Sequence, residues 1–238
     1  MCMIRSRFHF RETIATILAD EEAHVQAARE GLMQARHELE HYISGDPFFM
    51  TTLEPYDVHS GSLVVDRMAA AGVSAGVGPM AAVAGTIAWA GVEAMIRAGA
   101  RFAVIDNGGD IAMVTDRPIR VGIHAGASSW SDRLAFIVPG QAEVLGVCTS
   151  SATVGPSISF GTADAVTVFS GSPSLADAWA TAVCNEITPG NTAVMNRVPW
   201  GEIDGIFVVS GDWTGSFGRL PPLARAAVDR DRITGGPW

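Results

Sequence analysis

The sequence has no lysine: its Lys+Arg total of 16 is all arginine, set against 25 Asp+Glu for a formal net charge of −9. That absence excludes a Schiff-base lysine, a P-loop lysine and a Ser–Lys dyad. Charged residues reach only 17%, below the ~25% of an average soluble domain. The acidic balance argues against a nucleic-acid partner, and a hydrophobic content of 48% argues against disorder. Cysteine is scarce as well. Cys2, Cys148 and Cys184 are irregularly spaced and form neither a disulfide framework nor a CxxC pair. Arginines near the start stand where a secretory leader needs apolar residues. The one long uncharged run, Ala69–Val92, is built of alanine and glycine and interrupted by Pro79, so it reads as a loop plus a buried helix and not as a membrane span. The expectation is a soluble, cytoplasmic protein with no membrane partner.

Along the chain, residues 3–18 alternate charged and apolar side chains and predict a strand or hairpin with one wet face. Residues 20–44 predict an amphipathic helix, since Val25, Ala28, Leu32, Ala35, Leu39 and Tyr42 keep a three/four spacing. A loop follows to about Gly61, then a short apolar piece, Ser62–Val65. Pro79 suits a first helical turn and Gly99 a helix end, and the segment between them is apolar on nearly every side. Strands are expected at Phe102–Asp106 and Ile111–Thr115 around a tight Asn107–Asp110 turn. Pro118–His124, Arg133–Val138 and Val144–Cys148 then continue an antiparallel meander. Thr149–Thr162 reads as a polar loop, Ala165–Ser170 as a strand, Ser174–Ile187 as a second apolar helix and Ile203–Ser210 as the last strand. The pattern predicts an α+β fold with a bilobal core in one domain over 1–238: strand and amphipathic helix in 1–60, core in 61–210, and a tail in 211–238 with a short helix.

Several short motifs carry chemistry. His37-Glu38-Leu39-Glu40-His41 matches HExxH, but Leu39 belongs to the core stripe and both histidines lie about 160° away from it, on a solvated face. Gly72–Gly76 matches GxSxG without the strand that a nucleophile elbow requires. Gly76–Ala81 matches a relaxed dinucleotide fingerprint, again with no β-branched strand before it. The glycine-rich approach to a helix, Gly78 included, suits either a phosphate at the helix N-terminus or close helix packing. Asp106 and Asp110 bracket the Asn107-Gly108-Gly109 turn, placing two carboxylates and an amide at one tip. Asp177 and Thr181 share one face of an apolar helix. With Ser174 as the cap, Asp177 is either a helix-end acid or one of two oxygen donors for a hard cation such as Mg²⁺.

This ordered set resembles the ApbE-like superfamily of flavin (FMN) transferases, in a soluble and divergent branch, over about Met68–Ser210. Asp106–Asp110 echoes the family's Asn-x-Gly-Gly-Asp element and Gly146–Ser151 its Thr-Ser-Gly loop. Asp177–Thr181 matches its magnesium-holding Asp-Ala-x-Ala-Thr pattern position for position. The resemblance implies a bilobal α+β fold with the ligand between lobes. It also implies Mg²⁺ at Asp177 and Thr181, and an FAD, FMN or other phosphorylated small molecule near Gly78, Asp106, Asn107, Gly108, Gly109, Asp110, Thr149, Ser150 and Ser151. The sequence departs from the family where an acid and a lysine are expected ahead of the first buried helix (here Pro79–Thr86) and where His-x-x-Asp is expected (here Ser157–Gly161). Those departures argue against carrying FMN transfer itself over.

Cys148, at the end of an apolar strand, is a candidate nucleophile or sulfur carrier, or else a small buried hydrophobe. The leading expectation is an ApbE-like binder of a flavin or nucleotide. The alternatives are a thiol enzyme acting through Cys148 and a non-catalytic scaffold. Trp130, Trp200 and Trp213 are candidates for a homo-oligomer interface.

Overall fold

A computed structural model describes residues 3–152, 161, 163–228 and 234. It begins with the hairpin β1 (Ile4–Phe10) and β2 (Thr13–Ala19). Next come α1 (Glu22–Gly45), the single turn α2 (Phe48–Thr51), α3 (Leu63–Ala75), a 3-10 turn over Pro79–Ala82 and α4 (Val83–Arg97). Strands β3 (Ala103–Asn107), β4 (Asp110–Thr115), β5 (Ile119–Gly122), β6 (Leu134–Val138), β7 (Gln141–Ser150) and β8 (Ala165–Ser170) follow. The chain then passes through α5 (Pro173–Glu186) to β9 (Ile203–Ser210), β10 (Trp213–Gly218) and β11 (Leu223–Arg225).

Eight strands form one sheet in the order β1-β2-β3-β4-β7-β8-β9-β10, and β11-β6-β5 form a second, smaller one. Every pairing between these strands is antiparallel. The two-residue period of the strands divides the large sheet between two cores. Ala103, Ile105, Ala112, Cys148, Val166, Val168, Ile206 and Val208 face the helices. Val104, Met113, Val147, Phe169, Phe207 and Val209 face the small sheet and pack on Phe136 and Val138. The expected α+β architecture with a divided core is present, and its two halves lie on opposite faces of one sheet.

Glycine lets the helices come close. A Cβ on Gly91 would lie 2.4 Å from Ile105 Cδ1, and one on Gly31 would lie 2.7 Å from Ala94 Cβ. Helix α4 ends as its sequence predicts. Gly99 takes φ +94° and donates to Ile96 O, while Ala100 N donates to Met95 O at 3.0 Å, the paired bonds of a Schellman motif. The 79–97 stretch is long and apolar enough to cross a membrane by length and composition, and half of it is buried inside the protein.

Four expectations are corrected. Residues 63–75, read as a short apolar piece and a loop, are helix α3, which buries Val64, Val65, Met68, Ala69, Gly72 and Ala75. Its alanines gave no hydrophobic contrast from which to read the period. The expected meander is split, because β4 pairs with β7 while β5 and β6 leave for the second sheet. The polar loop begins later than Thr149, since β7 runs to Ser150. The tail contributes β10 and β11 in place of the short helix. In β10 the Trp213 and Phe217 rings lie 2.7 and 2.8 Å from where a Gly215 Cβ would sit, so the aromatic rings cover a glycine that obscured the strand.

The junction of β7 with α5 has no room to spare. A Cβ on Gly146 would stand 2.5 Å from Pro173 Cα, which is backbone and cannot swing aside. Gly146→Ala is therefore expected to lower stability by about 1–3 kcal/mol. Urea denaturation should show a lower midpoint at unchanged slope; an unchanged midpoint would mean that β7 and α5 part without cost.

Candidate functional site

Three side chains at the ends of central strands turn toward the helices. Asn107 shares the face of Ala103 and Ile105, Asp110 that of Ala112, and Cys148 closes the apolar run of β7. The Asn107–Asp110 register closes a two-residue hairpin in which Gly108 and Gly109 both take positive φ, +72° and +104°. Only such residues make this turn cheaply, so the glycines set the tip while the residues beside them carry the chemistry.

The first turn of α4 and the first two turns of α5 meet these strand ends. Asp177 Oδ2 accepts the Gly85 amide at 2.8 Å, and Asn107 Nδ2 donates to Ala84 O at 3.1 Å. Thr86 Oγ1 donates to Ala82 O at 2.6 Å and lies 2.7 Å from Ser174 Oγ. Asp177 thus caps α4 from a neighbouring helix, with its charge against the positive end of the α4 dipole. Its own helix starts earlier than expected. Ser172, and not Ser174, is the cap; its hydroxyl accepts the Leu175 amide at 3.4 Å and Pro173 follows. Asp177 is consequently an interior residue of α5, 7% exposed, and no helix-end acid of α5.

Asp110 Oδ1 accepts the Thr149 amide at 3.1 Å. Burial, then the Asp177 charge, pushes the Asp110 carboxyl well above its ordinary range. Burial likewise raises Asp177 from 3.8 to about 7, against the pull of the Gly85 and Ala84 amides. Two neighbouring carboxylates, one buried and one half-buried, cannot both ionise without cost, so the pair keeps a proton or takes up a cation. Cys148 is fully buried and its Sγ donates to Pro173 O at 3.5 Å. Burial and the two aspartates push the thiol well upward. That is the reverse of what a thiolate nucleophile requires.

The other sequence-predicted residues divide. Asp106 lies on the opposite face of β3, where its Oδ1 accepts the Gly109 amide at 2.9 Å and its carboxyl is raised by burial. Thr149 turns its hydroxyl to that same side, 2.9 Å from Thr167 Oγ1, leaving only its amide at the site. Ser150 and Ser151 are buried at the end of β7. Thr181 is half-buried one turn beyond Asp177 on α5. Gly78 belongs elsewhere: a Cβ there would lie 2.1 Å from Thr52 O, so this glycine serves close packing. The departure at 157–160 falls outside the described residues, as does Cys2. The GxSxG serine, Ser74, sits on α3 and accepts Trp179 Nε1 at 3.1 Å, while His37 packs its ring edge-on to Phe10. The sequence reading passed over Gly85, Asn107's grip on Ala84, and the pairing of Asp110 with Asp177. A lone glycine two residues into a helix was the only signal available for the first.

Among the described residues no three His, Cys, Asp or Glu side chains gather as a metal cluster. The protein's share of a cation's coordination here would be two carboxylates, with hydroxyl, backbone, water or ligand oxygens completing it. Magnesium is held in that manner beside phosphorylated ligands.

A family model described as AbpE bacteria matches residues 3–204. The chain belongs to that family. Within it, a UPF0280 protein of Methanosphaerula palustris is 56% identical over 98% of this chain and 99% of its own length. One from Methanoculleus marisnigri is 57% identical over 98% and 96%. Among solved structures, a mutant of flavin transferase ApbE from Vibrio cholerae superposes with TM-score 0.62 at 13% identity, covering 91% of this chain and 97% of that one. The apo flavinyl transferase ApbE of Pseudomonas stutzeri gives 0.56 at 14%, covering 100% and 98%. The expected placement in the ApbE-like superfamily and its fold is borne out.

Two outcomes follow for the acid pair. A Cβ on Gly85 would meet Pro173 O at 2.5 Å, Asp177 Cβ at 2.9 Å and Cys148 Sγ at 3.2 Å. Gly85→Ala should therefore displace the α4 terminus, cost about 1–3 kcal/mol and weaken any ligand binding at the acid pair. The second concerns pH. Asp177 holds its proton more tightly folded, at about 7, than unfolded, at 3.8. Its contribution is therefore fully present below about pH 4 and is lost as pH rises through 7, at up to ~1.4 kcal/mol per unit. Asp177→Asn keeps an oxygen for the Gly85 amide. The gap between wild-type and variant urea midpoints, measured with chelator at pH 5 and pH 8, should shift in the variant's favour at pH 8.

Proposed function

We propose that the protein binds a flavin nucleotide, FAD or FMN, through its phosphate together with Mg²⁺ at the Asp110–Asp177 pair. The observation that carries this reading is the pair itself: a buried carboxylate and a half-buried one, each tied to a backbone amide, with no guanidinium bonded to either among the described residues. A divalent cation would neutralise their mutual repulsion. Their donor set is all oxygen, which suits a hard cation. The family and the superposed flavin transferases make a flavin nucleotide the ligand to test first.

In this reading Asp110 and Asp177 hold the cation, and Thr181 adds a hydroxyl from the next turn of α5. The bound cation would polarise the ligand's phosphoryl oxygens. Asn107 and Ser172 fix the ends of α4 and α5, so the carboxylates stand ready without rearrangement. At neutral pH the apo pair retains a proton that cation binding must displace, so affinity should rise with pH through 7. Transfer of the flavin onto an acceptor is not part of the proposal, because the acid and lysine of the transferase pattern are absent at 79–86. The thiol-enzyme reading loses its footing in a Cys148 thiol that is buried and raised beside two acids.

Titration calorimetry with FAD and FMN, with and without Mg²⁺, tests the reading. Saturable binding that needs Mg²⁺ and disappears in Asp177→Ala and Asp110→Ala is the expected result, while Cys148→Ser should bind as wild type does. Mg²⁺-independent affinity, or affinity unchanged in both aspartate variants, would sink it.

A further inference from the structure

Away from the helices, where the small sheet meets the turn between β9 and β10, a cavity of about 430 Å³ is lined by Ser129, Trp130, Arg133, Leu134, Arg225 and Ala226. It has nothing to do with the acid pair, which lies on the helix side of the large sheet. Among the described residues, its two arginines belong to those that no ion pair occupies. Arg11, Arg36, Arg67, Arg117, Arg197 and Arg219 all pair with carboxylates. Arg133 and Arg225, both exposed, meet no carboxylate among the described residues. The pairing of β11 with β6 brings them together: Arg225 stands opposite Leu134, and Ala226 N donates to Arg133 O at 2.9 Å.

The wall beside them is held rigidly. Ser128 Oγ donates to Gly211 O at 2.7 Å, Ser129 Oγ to Asp212 Oδ1 at 2.7 Å and Trp130 Nε1 to Asp212 O at 3.1 Å. The Gly211 amide in turn donates to Asp164 Oδ2 at 2.7 Å. Behind Trp130, Asp132 takes the left-handed φ of +63° and is tied through its amide, its carbonyl and its side chain. Its amide donates to Ile123 O at 3.0 Å, its carbonyl accepts Val228 N at 3.0 Å, and its Oδ1 lies 2.9 Å from His124 Nδ1. A non-glycine residue pays for that backbone conformation only where its surroundings insist on it. The Trp130 indole therefore has its one polar atom satisfied and its ring fixed in place, yet stays 38% exposed. The Ser129 hydroxyl and the Asp212 carboxylate are occupied with each other, which leaves two guanidinium groups and an aromatic ring as the free chemistry of the cavity.

Guanidinium groups match a phosphate with paired N–H donors, and an indole offers a planar face to a ring. The volume suits a small organic ligand. We propose that this cavity is a second ligand site, for a small molecule that joins a planar ring to a phosphate, with Arg133 and Arg225 on the phosphate and Trp130 against the ring.

Titration calorimetry with AMP, run with chelator so that no cation serves the acid pair, tests the proposal. Adenosine and inorganic phosphate are titrated separately. AMP is expected to bind saturably and more tightly than either fragment. The double variant Arg133→Ala/Arg225→Ala should weaken AMP at least about tenfold, and Trp130→Ala should erase its advantage over inorganic phosphate. All three residues are exposed, so urea midpoints should stay near wild type and separate lost binding from lost folding. Asp177→Asn should leave AMP affinity unchanged. Binding lost in that variant but retained in the arginine variant would move AMP to the acid pair and overturn the second site. So would no saturable binding at low millimolar AMP, or phosphate alone binding as tightly as AMP.

Discussion

A sheet covered on both faces leaves polar side chains few places to stand, and that constraint organises the molecule. Helices close one face and the small β5-β6-β11 sheet closes the other, so apart from Thr167, which bonds Thr149, the middle of β3, β4, β7, β8 and β9 is apolar in both directions. Polar groups are pushed to strand ends. On the helix side those ends bear Asn107, Asp110 and Cys148, and there they meet the starts of α4 and α5. The site is a consequence of the layering: strand ends and helix N-termini coincide because each core closes along the same border.

At that border, Asp177 performs two tasks that pull against each other. Capping the Gly85 amide favours the ionised carboxylate, whereas burial beside Asp110 favours the protonated one. Burial prevails in the absence of a cation, and the balance stands close to neutral pH. Small residues at Gly85 and Gly146 let α4, α5 and β7 come within reach of the acids, so the electrostatics depends on glycine packing as much as on the carboxylates themselves. The Arg133–Arg225 cavity inverts this design. There the charges are positive and exposed, beside a rigidly held loop, with the desolvation left to whatever binds.

Much of the architecture could be read along the chain. The β1–β2 hairpin, the amphipathic α1 stripe through Val25, Leu32 and Leu39, the Gly99 stop and the glycine turn between β3 and β4 all came from local patterns, because turn geometry and three/four spacing are local properties. Helix α3 and strand β10 were missed for a common reason. Alanine and glycine give too little hydrophobic contrast to expose a period; α3 in addition packs against α5, far away in sequence, whereas β10 pairs with its own hairpin neighbour β9.

Within the site, residue types were legible and pairings were not. The Asp177–Thr181 spacing, the Gly108–Gly109 turn and the acids around it could be named from order alone, because a helical turn or a tight hairpin is written in adjacent residues. Which acid faces which was settled by strand parity and by packing across the sheet. Asp106 and Asp110, four apart and bracketing one turn, finish on opposite faces, while Asp177, far away in sequence, comes close enough for its charge to raise the Asp110 carboxyl. Cys148 could have been nucleophile or filler by sequence; only its burial beside two carboxylates assigns it a raised, neutral thiol. Electrostatic environment belongs to distances across the fold, and no local pattern encodes it.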